Sequence, residues 1–223
     1  ARRNTAWREI PFVLLVSAIL AVLFFDEELG GGPSGLSRGD GIILLIFWCF
    51  FMFYLFAVSK EGSAADAGPP PAGAAKTAAL IAGGLAGLVA GGALVVDSAS
   101  AIARSLGVGE KVIALTIVSI GTSLPELVTS VVAARRRQEG IALGNIVGSN
   151  IFNILFILGV SAVIAPIRVD AAAYRLDFAA LMASSIVIFG SMVFLKKNLI
   201  TRLEGCLMAA AYLGYLTYLV ATA

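Results

Sequence analysis

Long apolar runs, broken by short charged or glycine-rich stretches, set the pattern of this chain. Seven runs stand out, at about 10–25, 41–58, 77–96, 112–134, 141–164, 177–195 and 203–221, against the roughly 20 residues a helix needs to cross a bilayer. The first is short and the others are comfortable. Alternation with period two is absent, so the pattern predicts helices rather than a membrane barrel. The expected fold is all-α, a polytopic membrane protein with seven transmembrane helices. Residues 59–76, SKEGSAADAGPPPAGAAK, read as a flexible linker.

Composition agrees with the pattern. The chain is 59% hydrophobic and 13% charged, with a mean hydropathy of +0.96, too little polar surface for a soluble domain of 223 residues. Histidine is absent, which removes imidazole relays, histidine metal sites and serine–histidine catalysis. Cys49 and Cys206 fall inside predicted spans, where neither a disulfide framework nor a zinc spacing applies. No HExxH, catalytic triad or phosphate loop is found, so no enzyme and no cofactor are expected.

Charge fixes an expected orientation. With seven spans, 11 of the 16 Lys and Arg residues fall on the side of the N-terminus, and the positive-inside rule makes that side cytoplasmic. Arg135, Arg136 and Arg137 then read as a topology anchor rather than a nucleic-acid patch.

Two of the runs carry polar residues that a purely structural helix would not need. In SIGTSLPE, at 119–126, a helix places Ser119, Thr122, Ser123, Glu126 and, further on, Ser130 on one stripe. Pro125 cannot donate to the carbonyl of Gly121, so a kink is expected there. A carboxylate at mid-span costs about 2.5–3.5 kcal/mol on insertion scales, and this helix offers Glu126 no Lys or Arg to pair with. Freed carbonyls, hydroxyls and a carboxylate held together suit a hard cation. The next run, ALGNIVGSNIFNILF, brings Asn145, Ser149 and Asn153 to one face at intervals of four. The short connection RRRQEG makes the two runs an antiparallel pair whose stripes can meet near the midplane.

Other polar residues read as structural. Thr116, Thr129 and Ser161 are expected to bond their own backbone, and Asp97 to cap the outer end of the third run. Asn145 and Asn150 suit either interhelical bonding or a ligand role. Gly83, Gly87 and Gly91 mark a close-packing face.

A weak self-similarity adds a second line. Residues 8–19, REIPFVLLVSAI, align with 175–186, RLDFAALMASSI, and SRGDG at 37–41 with TRLEG at 201–205. The copies start on opposite sides of the membrane, as in transporters built from inverted repeats. The runs between them lack a counterpart, which is expected to precede Ala1 as three further helices.

The motifs GTSLPELVTS and GNIVGSNIFNILFILG resemble the second α-repeat of the calcium/cation antiporter superfamily, over about 119–159. The resemblance implies helices four to ten of a ten-helix inverted-repeat antiporter. Residues 1–58 would end the first repeat, 59–76 would be a cytoplasmic linker, and 77–223 would form the second repeat, with its ion-binding α-repeat at about 112–164. The metal ligands it implies are the carbonyl of Ser119, Thr122, Ser123, the carboxylate of Glu126, Ser149 and Asn153. Several sodium/calcium exchangers carry aspartate at the position of Asn153, so the implied site carries less charge than theirs. The expected activity is exchange of Ca2+ for Na+, with K+ or H+ as further counter-ions. The implied partners are these ions, the lipid bilayer and the missing first α-repeat, supplied by N-terminal helices or another chain; no nucleic acid is expected. A cation channel or leak pathway, or a proton-coupled exchanger, would use the same ligands; the clustering of polar residues at one depth favours an exchanger.

Overall fold

The computed structural model describes residues 2–26, 34–62, 73–194 and 202–222. The described residues are almost wholly helical. In chain order they form α1 (Arg2–Phe24), β1 (Gly35–Leu36), α2 (Arg38–Gly62), α3 (Ala74–Ser105) and α4 (Glu110–Ile113). A wide π-helical turn π1 (Ala114–Val118), α5 (Ser119–Thr122), α6 (Leu124–Arg135) and α7 (Glu139–Ile151) follow. The chain closes with π2 (Phe152–Leu158), α8 (Gly159–Ile164), β2 (Ile167–Arg168), α9 (Ala171–Phe194) and α10 (Arg202–Thr222).

Five of these helical segments are long and apolar enough to cross a membrane, and the bent pair 114–122 and 124–135 makes six. The first predicted span, Glu9–Phe24, is apolar but shorter. Asp97 is not a cap: α3 continues past it to Ser105, because the helix outlasts the apolar run that marks the hydrocarbon. The linker contracts from both sides, since α2 reaches Gly62 and α3 begins at Ala74; its middle lies outside the described residues.

The helices fall into two compact units that interleave in sequence, 1–65 with 143–201, and 66–142 with 202–223. The first holds the main apolar core. Val16, Leu44, Ile151, Leu155 and Ala162 are fully buried there, and Val147 and Ile154 nearly so. Helices α1 and α9 pack antiparallel: Phe24 meets Tyr174 and Phe178, while buried Ser17 Oγ lies 3.4 Å from Ser185 Oγ. These two helices contain the segments aligned at 8–19 and 175–186. Their facing hydroxyls can satisfy one another in an apolar interface.

Helix α2 begins with a capping box. The Ser37 hydroxyl accepts from the Asp40 N–H at 3.2 Å, and Asp40 Oδ2 accepts from the Ser37 N–H at 2.8 Å. Just before it, β1 pairs antiparallel with β2, Gly35 opposite Arg168 and Leu36 opposite Ile167. Gly35 has φ +124°, and a Cβ there would run into the Ile167 carbonyl, so only glycine fits. The helix pattern did not foreshadow this ladder, whose strands are two residues long.

In the second unit α3 lies against π1, α5 and α6. The corner between α3 and α4 turns through Gly107 at φ +78° and is clasped by a bidentate pair, Arg104 Nε to Glu110 Oε1 at 2.6 Å and Nη2 to Oε2 at 3.0 Å. The guanidinium holds the Glu110 carboxyl below its ordinary value of 4.5. A lowered folded-state value means the clasp is intact at neutral pH and is lost as pH falls through that lowered value. Both side chains are exposed, so the pair fixes a corner more than it stabilises the fold. The apolar side chains of α3 point outward, Leu80, Leu85 and Leu94 among them, as expected where lipid replaces water.

Candidate functional site

The polar sentence at 119–126 sits on a break between two helices. Helix α5 ends at Thr122, Ser123 leaves helical geometry at φ −95° and ψ 1°, and α6 starts at Leu124, bent by 48° from the preceding segment. Pro125 explains the break. It has no N–H for the carbonyl of Gly121, and it stands in the first turn of α6, where an N–H would lack a helical partner anyway. The Ser123 N–H turns back to the Ile120 carbonyl at 3.1 Å, and the regular ladder resumes with the Leu127 N–H on the Ser123 carbonyl at 3.0 Å. The predicted stripe therefore turns at Ser123 instead of running straight.

This break sets the electrostatics. The carbonyl end of α5 carries partial negative charge, and the first turn of α6 carries partial positive charge. Glu126 stands in that first turn, half-buried, with its Oε2 shielded from solvent. Thr122 Oγ1 donates to the Ser119 carbonyl at 2.9 Å, which leaves the hydroxyl oxygen able to accept. Two of the predicted ligands are thus joined by one hydrogen bond. Ser119 itself follows the wide turn π1, and its N–H bonds the Ala114 carbonyl five residues back.

Glycine at 121 lets α3 approach. A Cβ there would overlap Cγ2 of Val96, and a Cβ on Gly92 would come within 3.8 Å of the Gly121 carbonyl. Gly121→Ala is expected to lower transport and thermal stability together, by about 1–3 kcal/mol of overpacking. Because the obstacle is the end of a side chain, Val96→Ala in the same protein should restore most of both, read as melting temperature and flux of the single and double variants.

Ser149 and Asn153 belong to the other unit, on the segment formed by α7 and π2. Val147, Ile151, Ile154 and Leu155 bury one side of it, which leaves Asn145, Ser149 and Asn153 on the side turned from that unit's core. Ser149 Oγ donates to the Ile146 carbonyl at 3.1 Å, and Asn150 Nδ2 donates to the same carbonyl at 3.1 Å. Asn153 lies within π2, the second wide turn. Thr116 and Thr129 behave as structural hydroxyls, donating to the carbonyls of Val112 at 2.6 Å and Pro125 at 2.7 Å. Among the described residues no three Asp, Glu, Cys or His side chains come together, and the candidate ligands comprise one carboxylate and otherwise neutral oxygens.

Sequence reasoning missed both wide turns and the contact of Val96 with Gly121. The glycine was a signal, since a helix that spends one beside a proline has a neighbour pressing close or a bend to make. No residue type announces a π turn.

Against known proteins, residues 76–221 match the family model described as sodium/calcium exchanger protein. The chain belongs to the sodium/calcium exchanger family. That family consists of membrane transporters, not enzymes. The chain is 36% identical over 220 residues to the putative antiporter CaxA of Alkalimonas amylolytica, covering 95% of this chain and 67% of the relative. It is 44% identical over 106 residues to the sodium/calcium exchanger MaX1 of Methanosarcina acetivorans, covering 48% of this chain and 30% of the relative. A solved structure of the sodium-calcium exchanger NCX_Mj superimposes with a TM-score of 0.75 at 32% identity, over 96% of this chain and 65% of that one. The chain thus spans about two thirds of the length of these overall matches.

Proposed function

We propose that the protein is a secondary active antiporter that exchanges Ca2+ for Na+ by alternating access, in a cell membrane with its N-terminal side cytoplasmic. The observation that carries this reading is Glu126, a shielded carboxylate at a helix break inside a predicted span. An empty site would carry the negative charge of its carboxylate through low dielectric, whereas Ca2+ or Na+ ions bound there neutralise it. Loaded states cross and the bare state does not, which makes exchange obligatory.

The carbonyl of Ser119 and the side chains of Thr122, Ser123, Ser149 and Asn153 would supply neutral oxygens to the roughly 6–8 that Ca2+ takes. The remaining ligands would come from a first α-repeat, in the third of the relatives that this chain does not cover or on another chain. The names of MaX1 and NCX_Mj support sodium as the counter-ion.

The test is uptake of radioactive calcium into vesicles containing the purified protein. Loading the lumen with Na+ should accelerate uptake at least tenfold over choline. Uptake that ignores internal Na+ but follows membrane potential identifies a channel, and uptake driven only by a pH gradient identifies proton coupling.

A further inference from the structure

We infer that Trp48 is a positioning residue for Asn153: it grips the two aromatic rings that bracket this residue and holds the wide turn π2 in register. The inference rests on the antiport reading in taking Asn153 as an ion ligand. One face of α2 runs along π2 and α8 like a ruler, through Gly41, Leu45 and Trp48 at helical intervals. A Cβ on Gly41 would stand 2.7 Å from the Gly159 carbonyl, and one on Gly159 would stand 3.1 Å from Leu45 Cγ. Farther along, the Trp48 ring meets Phe152 edge-on at 5.3 Å and Phe156 tilted at 5.5 Å, and those two rings stack on each other at 5.1 Å.

A π segment needs such a grip. Its i→i+5 bonding is rarer and poorer than α geometry, and closing it to α geometry rotates one end against the other by about one residue step, roughly 100°. Upstream of π2, Val147 and Ile151 are locked in the core; downstream, Gly159 and Ala162 are locked against α2. Trp48 holds both Phe152 and Phe156, and Ile154 and Leu155 between them are buried in the core, so Asn153 keeps one direction. Asn153 adjoins Phe152, and its amide oxygen can serve a cation only from that direction. The indole therefore acts through Asn153 without touching the ion.

Two measurements on the purified protein test this. In Trp48→Ala, amide hydrogen exchange over 152–158 should speed up at least tenfold while α1 and α9 keep their protection, and Trp48→Phe should restore most of it. In vesicles, Trp48→Ala should raise half-saturating Ca2+ about tenfold with the maximal rate within about twofold, and should add nothing in an Asn153→Ala background. Unchanged protection at 152–158 overturns the grip, and an equal, additive loss of affinity in the Asn153→Ala background overturns the role through Asn153. Absence of any Na+-dependent exchange in the unaltered protein counts against the antiport reading alone, because the protection measurement uses no gradient.

Discussion

Replacing Glu126 with Gln is expected to abolish exchange and to leave the protein folded and inserted. The substitution keeps the shape and one oxygen of the side chain, so the break at Ser123 and the first turn of α6 keep their geometry. Insertion becomes easier, since a mid-span carboxylate costs about 2.5–3.5 kcal/mol. What disappears is the one formal charge among the candidate ligands. Removing one partner of a buried charge pair costs about 3–5 kcal/mol, which is more than a hundredfold in affinity for a bound cation. Calcium flux in vesicles should fall to the level of empty lipid, with the melting temperature within a few degrees of the parent. Glu126→Asp, which keeps the charge but shortens the reach, should fall between the two. Full flux in Glu126→Gln would remove the carboxylate from the mechanism.

The second large effect is on stability. Gly41 faces backbone on α8: a Cβ there would lie 2.7 Å from the Gly159 carbonyl and 2.9 Å from the Val163 nitrogen. Backbone cannot rotate out of the way as a side chain can, so α2 and α8 must separate. Overpacking in a core costs about 1–3 kcal/mol, and the absence of any flexible neighbour puts Gly41→Ala at the top of that range. Gly159→Ala should be milder, since the nearest atom it meets belongs to the side chain of Leu45. Thermal unfolding of both variants in detergent measures the difference, and equal melting temperatures would mean that the two helices slide apart freely.

Much of the architecture was legible because lipid imposes a simple rule on sequence. Each apolar block became a helical segment, and Pro125 with Gly121 foretold the bend. The extent of α3 was not legible from the same rule. Counting apolar residues measures the hydrocarbon, and the polar stretch after Val96 stays helical while Ser100 and Ala103 are buried. Asp97 was therefore misread as a terminus. At the candidate site, the helix break that carries Ser119, Thr122, Ser123 and Glu126 was legible. The wide turns before Ser119 and around Asn153 were not, because no local residue preference marks a π turn. The approach of Val96 to Gly121 joins two helices, and a single strand of sequence carries no record of which helix its glycine will meet.

The short β ladder has a consequence for assembly in time. Gly35 cannot find Arg168 until roughly 130 further residues have been made, on the order of ten seconds at ribosomal speed. Until then α1 and α2 also lack the helices on which they pack, α9 and α8, so the ladder and these contacts close together as a late step in assembly.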